Sequence, residues 1–556
     1  MEYNILIGGA AGQGVETLSS VFEKMLKRNG FKLFSIRDYM SRIRGGHNFA
    51  QIRFADRALH SHTEDLDGII ALNGETIDYH INRLKPEGFV ICDNAVQHED
   101  ERVIRLPLTD TAREIGNIRV SGSVALGAAM GLLGLKLDEA ENVYNQFFRP
   151  DIANINVKAI LEGSKFVRAR YNSDLSGQDD SLLINGNQAV ALGALAAGCK
   201  FYSAYPMTPS TSIMDYLASK MTDAEIVVEQ AEDEIAAINM AIGASYAGAR
   251  AMTGTSGGGF SLMVEGLGLA GMLEVPLVIA EVQRPGPVTG FPTRTEQSDL
   301  KFVISASQGE FPRMVIALRT PEDAFYQTVR AFNIADKYQI PVILLSDQFL
   351  ADSVVTVKPF DFDGISHDRY IAHDVEDRPY KRYKVTPTGI SPRVIPGKIP
   401  GVIVAVDSDE HDEFGYITES AQVRIDMVDK RMRKLELLRQ ELQEPWFTGE
   451  EDCEILMLAW GSTWGPVAEA VSMLNAGQDK KYGALVFGDI WPLPTGLLME
   501  KCKKARRIIN VEQNATGQLA SLVAETTGML CDFSVLKYDG RPMSPRYIIE
   551  KVRGME

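Results

Sequence analysis

The sequence predicts an α/β protein made of three doubly wound units, each a parallel sheet covered by helices. Short, near-continuous apolar runs alternate with amphipathic segments, as expected for βαβ units whose strands are buried on both faces. Two stretches interrupt the alternation: a polar, turn-rich one at 171–180 (YNSDLSGQDD) and a proline-rich one of mixed charge at 358–400. The length of 556 residues also exceeds what one core supports and suits three or four domains.

The first unit, residues 1–172, has candidate strands at 4–7, 31–35 and 88–92. The second, 182–356, has them at 200–204, 225–228, 276–282, 314–318 and 341–345. Residues 357–450 form an arm and a helix. The arm is too irregular for a packed layer, so it reads as an extended segment lying over a neighbouring surface or as a flexible loop. Ile425, Val428, Met432, Leu435, Leu438 and Leu442 then recur at spacings of three and four, one apolar stripe on a docked helix. The last unit, 451–556, opens with EILMLAW and continues through ALVFGDI and ARRIINVE as a smaller α/β layer. No low-complexity tract or short-period repeat is evident.

Composition narrows the function. The chain is 45% hydrophobic and 24% charged, ordinary for a soluble globular protein. A formal net charge of -17 gives no general attraction to nucleic acid or anionic lipid. Cys92, Cys199, Cys453, Cys502 and Cys531 are scattered without metal-ligand spacing, which argues against a cluster, a zinc site or a disulfide framework in this chain. The N-terminus enters a strand-like run without the features of a signal peptide, and no apolar run reaches the ~18 residues a membrane span needs. A soluble, cytoplasmic protein is expected, with no nucleic acid or membrane partner.

Six motifs carry chemistry. After the first strand, Gly8-Gly9-Ala10-Ala11-Gly12-Gln13-Gly14 opens a helix; both a tight turn and an anion site fit this spacing. Arg37, Arg42, Arg44 and His47 crowd the next loop, suited to phosphate oxygens if they are not merely a solvated basic loop. In Tyr205-Pro206-Met207-Thr208-Pro209-Ser210, Ser210 reads as a helix cap, whereas Thr208, pinned between prolines at the ligand-binding edge of a sheet, is placed for a ligand. Glu234 heads a helix loaded with alanine, glycine and serine (IAAINMAIGASYAGAR), and on sequence alone an acid satisfying the helix dipole accounts for it. Thr253–Thr255 and Ser256 lead into Gly257-Gly258-Gly259, a run that lets a ligand approach the backbone. Arg284 follows the 276–282 strand at the same edge and opens a loop fixed by proline and glycine.

These residues resemble a known family. YPMTPS, EDEIAAINMAIGASYAGARAMTGTSGGGF and QRPGPVTGFPTRTEQSDL are similar to the α subunit of 2-oxoacid:ferredoxin oxidoreductases. GGAAGQG and SRIRGGHN resemble the γ domain of the same family, fused ahead of α. With YKRYKVTPTGISPR, DSDEHDEFGYIT and NVEQNATGQLA, the resemblance spans nearly the whole chain. It implies a γ domain, a thiamine-diphosphate pyrimidine-binding-like domain and a transketolase C-terminal-like domain. It implies oxidative decarboxylation of a 2-oxoacid on thiamine diphosphate, acyl transfer to coenzyme A and electron passage to ferredoxin. Glu234 would contact the aminopyrimidine ring; Thr208 and Arg284 would hold the substrate carboxylate, with Thr289 and Thr293 as further substrate contacts. Gly9, Gly12, Gln13, Gly14, Arg42 and Arg44 would hold the phosphates of coenzyme A. The loop pattern leans towards 2-oxoglutarate, although Pro285, Val288 and Arg294 stand where glycine, serine and lysine are commoner in the family.

The diphosphate motif of thiamine enzymes, a GDG followed by ~30 residues and an asparagine pair, is missing: Gly488-Asp489-Ile490 lacks the second glycine. A β subunit is therefore expected to supply Mg²⁺, the diphosphate site and a [4Fe-4S] cluster, in an (αβ)₂ heterotetramer that serves ferredoxin. The alternatives are the same chemistry on pyruvate, branched-chain or aryl 2-oxoacids and, from another class, a non-catalytic assembly or nucleotide-binding protein. Asp407–Glu413 (DSDEHDE) raises a metal site, but without EF-hand spacing it reads as a solvated turn.

Overall fold

In the computed structural model, residues 1–40, 46–171, 175, 180–476 and 481–555 are described. They fall into two compact units, residues 1–184, 352–359 and 544–546 in one and 185–351, 360–543 and 547–556 in the other. No helix among the described residues is long and apolar enough to cross a membrane.

The first unit is built on an eight-stranded sheet. Its spatial order is Val103–Leu106, Leu84–Asp93, Leu66–Ala71, Glu2–Ala10, His47–Ala55, Lys32–Asp38, Val354–Val357 and Leu182–Ile184. The first four strands are parallel, but His47–Ala55 runs antiparallel to both neighbours, and the last two strands also pair antiparallel. The expected wholly parallel sheet is thus corrected to a mixed one. The connection from Asp38 to His47 is too short for the crossover that a parallel return requires. Beneath this sheet Phe54 receives Phe22 and Phe31 edge-on, at 6.0 and 5.1 Å between centroids. The helices Ser121–Leu133 and Pro150–Ser164 cross at reciprocal glycines: a Cβ on Gly127 or Gly163 would stand 2.0 Å from the carbonyl oxygen of Ile160 or Val124.

The second unit contains two sheets. The larger has the order Asp489–Trp491, Met314–Ala317, Pro341–Asp347, Leu277–Gln283, Ala251–Thr255, Phe201–Ala204 and Val227–Gln230, parallel except for the first strand. Its central strands are entirely buried, which is why they read as unbroken apolar runs. The smaller sheet has the order Trp446–Gly449, Tyr482–Phe487, Ile455–Trp460, Arg507–Glu512 and Phe533–Leu536, parallel after its first pair.

Between Val357 and Ala421 the chain carries only the isolated bridges Ile371–Arg393 and His411–Ile417, so the arm is extended. Charge fixes it to the second unit. Buried Asp336 accepts from Arg250 at 2.8 Å, Arg393 at 2.7 Å and Arg369 at 3.1 Å. Buried Glu274 binds Lys430 at 2.6 Å and Lys434 at 2.5 Å, and its carbonyl accepts from Arg382 at 2.8 Å. Lys430 and Lys434 lie on the helix Ala421–Leu438, whose buried residues are Met427, Lys430, Arg431, Lys434 and Leu438. Of the apolar stripe on this helix only Leu438 is fully buried, and Ile425 is 53% exposed, so the docking face is turned away from most of the stripe. Paired charges take that place because Glu274 and Glu410 satisfy them.

The turn Asp407–Glu413 is likewise not the solvated turn expected. His411 is fully buried with its ring 4.0 Å from that of Tyr383, Glu410 pairs with Arg431, and Glu413 pairs with Lys381. No group of three or more potential metal ligands occurs among the described residues.

Candidate active site

The C-terminal edge of the larger parallel sheet collects the second unit's motifs, as open α/β sheets place ligands there. Val227–Gln230 leads into the helix Glu234–Tyr246, here the acid helix. Asp233 caps it, accepting from Ala236 N at 2.7 Å. The dipole-satisfying role considered for Glu234 is thus filled by its neighbour. Glu234 is only 3% exposed, and its Oε1 has no hydrogen-bond partner in the protein. A buried acceptor left so is costly unless a ligand donates to it.

Ala251–Thr255 leads into the helix Gly257–Met272, the glycine helix. Its N-cap, Ser256, makes no capping bond, and the Ser256 hydroxyl is buried without a partner. In its first turn Gly257 and Gly259 stand where a side chain would crowd their neighbours. A Cβ on Gly259 would lie 2.1 Å from Thr255 Oγ1 and 2.4 Å from Glu234 Oε1, and one on Gly257 would lie 2.3 Å from Asp299 Oδ2. The glycine turn and Glu234 therefore form one pocket wall.

Phe201–Ala204 ends in the proline-flanked turn. Asn187 Nδ2 donates to the Pro209 carbonyl at 2.7 Å and helps fix it. Ser210 does not cap the following helix by accepting a backbone N–H; its hydroxyl donates back to the Met207 carbonyl at 2.7 Å. Leu277–Gln283 delivers Arg284, whose Nη1 donates to the Thr208 carbonyl at 2.6 Å. The structure thus brings Thr208 and Arg284 together through the Thr208 backbone. Partial burial lowers the Arg284 pKa from its usual value.

The loop after Arg284 closes on itself, with Phe291 N donating to the Pro285 carbonyl at 3.0 Å. At Gly290 only glycine fits: φ is 52° and a Cβ would stand 1.7 Å from Pro285 O. Thr289 is exposed on this loop and Thr293 is buried. Gly258 faces the Val288 carbonyl, so the loop reaches the glycine turn.

Sequence reasoning passed over Glu281. It lies inside Leu277–Gln283, fully buried, with neither carboxylate oxygen bonded to a donor, and burial, Asp299 and Asp347 push its pKa well up. An acid in the apolar run PLVIAEVQ was the available signal.

In the first unit, Gly12 and Gly14 adopt φ of 91° and 79° with open space where a side chain would project. Gly14 begins the helix Val15–Arg28 without a side-chain cap. Gln13 braces the turn: its Oε1 accepts from Ala10 N at 2.7 Å and its Nε2 donates to the Leu72 carbonyl at 3.2 Å. A Cβ on Gly9 would meet that Oε1 at 2.8 Å. Arg37 is drawn away from the expected basic loop by Glu23 and Glu16. His47 pairs with His80, Nε2 to Nε2 at 2.8 Å. Arg42 and Arg44 lie outside the described residues.

Two family models match the chain: "Pyruvate flavodoxin/ferredoxin oxidoreductase, thiamine diP-bdg" over residues 192–430 and "Pyruvate ferredoxin/flavodoxin oxidoreductase" over residues 4–166. A 2-oxoacid:ferredoxin oxidoreductase subunit alpha of Sulfolobus sp is 33% identical, the match spanning 98% of this chain and 95% of the relative. The 2-oxoglutarate synthase subunit KorA of Methanothermobacter marburgensis is 32% identical across 68% of this chain and its own full length. Among solved structures, 2-oxoglutarate:ferredoxin oxidoreductase from Magnetococcus marinus, with 2-oxoglutarate, coenzyme A and succinyl-CoA bound, superposes with a TM-score of 0.93 at 31% identity, covering 100% of this chain and 99% of that one. With its three α/β sheets and this likeness over its full length, the chain belongs to the 2-oxoacid:ferredoxin oxidoreductases, thiamine-diphosphate-dependent enzymes, as a fused γ–α subunit.

Proposed function

We propose that this chain is the γα subunit of an enzyme that oxidatively decarboxylates 2-oxoglutarate to succinyl-CoA, and runs the reverse carboxylation, exchanging electrons with ferredoxin. The observation that carries this reading is Glu234: a buried carboxyl with an unpartnered oxygen, packed against Gly259, where a Cβ would stand 2.4 Å from it. Those features fit the aminopyrimidine ring of thiamine diphosphate, whose ring nitrogen offers a donor when protonated. When bound, the cofactor supplies a nucleophilic carbon and an electron sink for decarboxylation. Glu234 holds the proton at that ring nitrogen. Arg284 and Thr208 orient the 2-oxoacid carboxylate, and Thr289 and Thr293 contact the rest of the substrate.

The partner is a β subunit that brings Mg²⁺, the diphosphate site and the [4Fe-4S] cluster, in an (αβ)₂ assembly in the cytoplasm. The acid helix and the glycine helix support this reading: the first exposes Ile235 at 50% and Met240 at 42%, the second Leu262 at 50%. Such an apolar patch around a half-built site suits a docking subunit. Gly9, Gly12 and Gly14, with Arg42 and Arg44, hold coenzyme A phosphates on the uncapped helix N-terminus, with Gln13 bracing the turn. The choice of 2-oxoglutarate draws on the KorA relative and on the ligands of the Magnetococcus marinus enzyme.

The test is viologen reduction by the chain co-purified with its partner, with 2-oxoglutarate, pyruvate, branched-chain and aryl 2-oxoacids, with and without coenzyme A. The highest kcat/KM is expected for 2-oxoglutarate; a higher value for another acid overturns the substrate assignment. Glu234→Gln should lower kcat by about 10²–10⁴-fold in an assembled complex. Wild-type turnover in that variant removes Glu234 from the mechanism.

A further inference from the structure

The glycine turn has a second acidic neighbour that the proposed reaction does not use. Glu281 is the register partner of Thr255 on the adjacent parallel strand, and Thr255 Oγ1 is the atom that, with Glu234 Oε1, leaves no room for a Cβ on Gly259. The Asp299 backbone meets Gln283, two residues along the strand from Glu281, and Asp299 raises the Glu281 pKa, so the two carboxyls face each other. Asp299 is held from behind by its own N–H, which donates to Gln283 Oε1 at 3.0 Å. Its Oδ2 occupies the space beside Gly257, the first residue of the glycine helix.

Two carboxyl groups can hydrogen-bond only if one of them is protonated. Asp299 stands at the uncapped N-terminus of a 16-residue helix, where the dipole favours negative charge. Glu281 lies within the sheet, where nothing donates to it. We infer that Glu281 and Asp299 share one proton, Glu281 neutral and donating to the Asp299 carboxylate, and that this pair is a positioning device holding the glycine turn against Glu234. The inference rests on the reading of Glu234 as the cofactor-facing acid.

The groups facing the pair are acidic or neutral. Asp347, from the neighbouring strand, and Asp299 act on Glu281; Glu281 acts on Asp299, which in turn acts on Glu296; Thr255 and Gln283 are uncharged. Burial, with Asp299 and Asp347, keeps the Glu281 proton bound well above the ordinary carboxylate range. Its loss at high pH would place two unscreened charges in contact, push Asp299 off Gly257 and release the turn that shapes the Glu234 pocket.

The test uses the complex of this chain with its partner, comparing wild type, Glu281→Gln, Glu281→Ala and Glu234→Gln from about pH 6 to about pH 9. Gln keeps the neutral donor, so Glu281→Gln should hold kcat within about threefold at neutral pH and lose the wild-type fall at high pH. Glu281→Ala should lose about tenfold or more in kcat with a smaller change in KM. Infrared spectra should show a protonated-carboxyl stretch in wild type that is missing from Glu281→Gln. The inference is overturned if Glu281→Gln is as impaired as Glu281→Ala, if the high-pH fall survives in Glu281→Gln, or if that band is unchanged. Full activity in Glu234→Gln would instead remove the Glu234 reading, while the infrared comparison still reports on the pair.

Discussion

Glu234 Oε1 stands 2.4 Å from the point a Cβ on Gly259 would occupy, so the acid and the glycine are shaped to each other. The acid helix is capped by Asp233, which leaves the Glu234 carboxylate free to face this turn. A residue that resembles an ordinary helix-terminal acid is thereby turned into a buried group with one unsatisfied oxygen.

Gly259→Ala tests this fit. The methyl group must displace either the Thr255 hydroxyl or the Glu234 carboxylate, since both lie within van der Waals contact of it. The expected result is a folded, partner-binding chain with kcat lowered about 10²-fold, because small displacements of a positioned group cost that much. Circular dichroism and co-purification verify the fold, and steady-state viologen reduction reads the loss.

Arg284→Lys tests the carboxylate clamp. One guanidinium nitrogen, Nη1, is spent on the Thr208 carbonyl at 2.6 Å, which leaves the rest of the fork for a ligand. An ammonium cannot span both at once. Loss of a desolvated, charge-assisted contact should lower kcat/KM by about 10²-fold, mostly as a rise in KM, for every 2-oxoacid the enzyme accepts.

What could be read in advance depended on how far apart the cooperating residues lie in the chain. The central strands were legible because full burial writes itself as an apolar run, and the motifs singled out Thr208 and Arg284, which the structure brings together. The orientation of His47–Ala55 was not, since apolar pattern is the same in parallel and antiparallel pairs. The docking face of Ala421–Leu438 was read only in part, through Leu438, because Lys430 and Lys434 are buried by pairing with Glu274, a residue distant in sequence. Glu281 is the intermediate case: its strand announced an anomaly, while its partner Asp299 sits in a loop whose path nothing local specifies.

Glu274→Gln should destabilise the second unit. Burial alone would raise the Glu274 pKa, but Lys430, Lys434 and Arg382 outweigh it and hold the carboxylate far below its usual 4.5. Removing that charge strands two buried ammonium groups at a cost of about 3–5 kcal/mol. Because the folded pKa is depressed, the wild-type contribution is present above pH 4.5 and is lost as pH falls. Urea titrations at neutral and acid pH should show the variant and wild type converging in acid.

His80 should make the first unit sensitive to acid. Burial, then Arg83 and His47, lower its pKa from 6.5 to about 3. Arg83 Nη1 can only donate to His80 Nδ1, 3.2 Å away, so His80 Nε2 carries the proton and donates to His47 Nε2. A proton arriving at His80 has no lone pair to occupy without breaking one of these bonds. In the unfolded chain His80 titrates near 6.5, so between that value and about 3 the unfolded state binds more protons and stability falls as pH falls. His80→Gln, which cannot ionise, should flatten this slope in thermal melts from pH 7 to pH 5 while lowering stability at pH 7 through the lost packing of the ring on Phe49 and His47. An acid slope as steep in the variant as in wild type would place the sensitivity in another group.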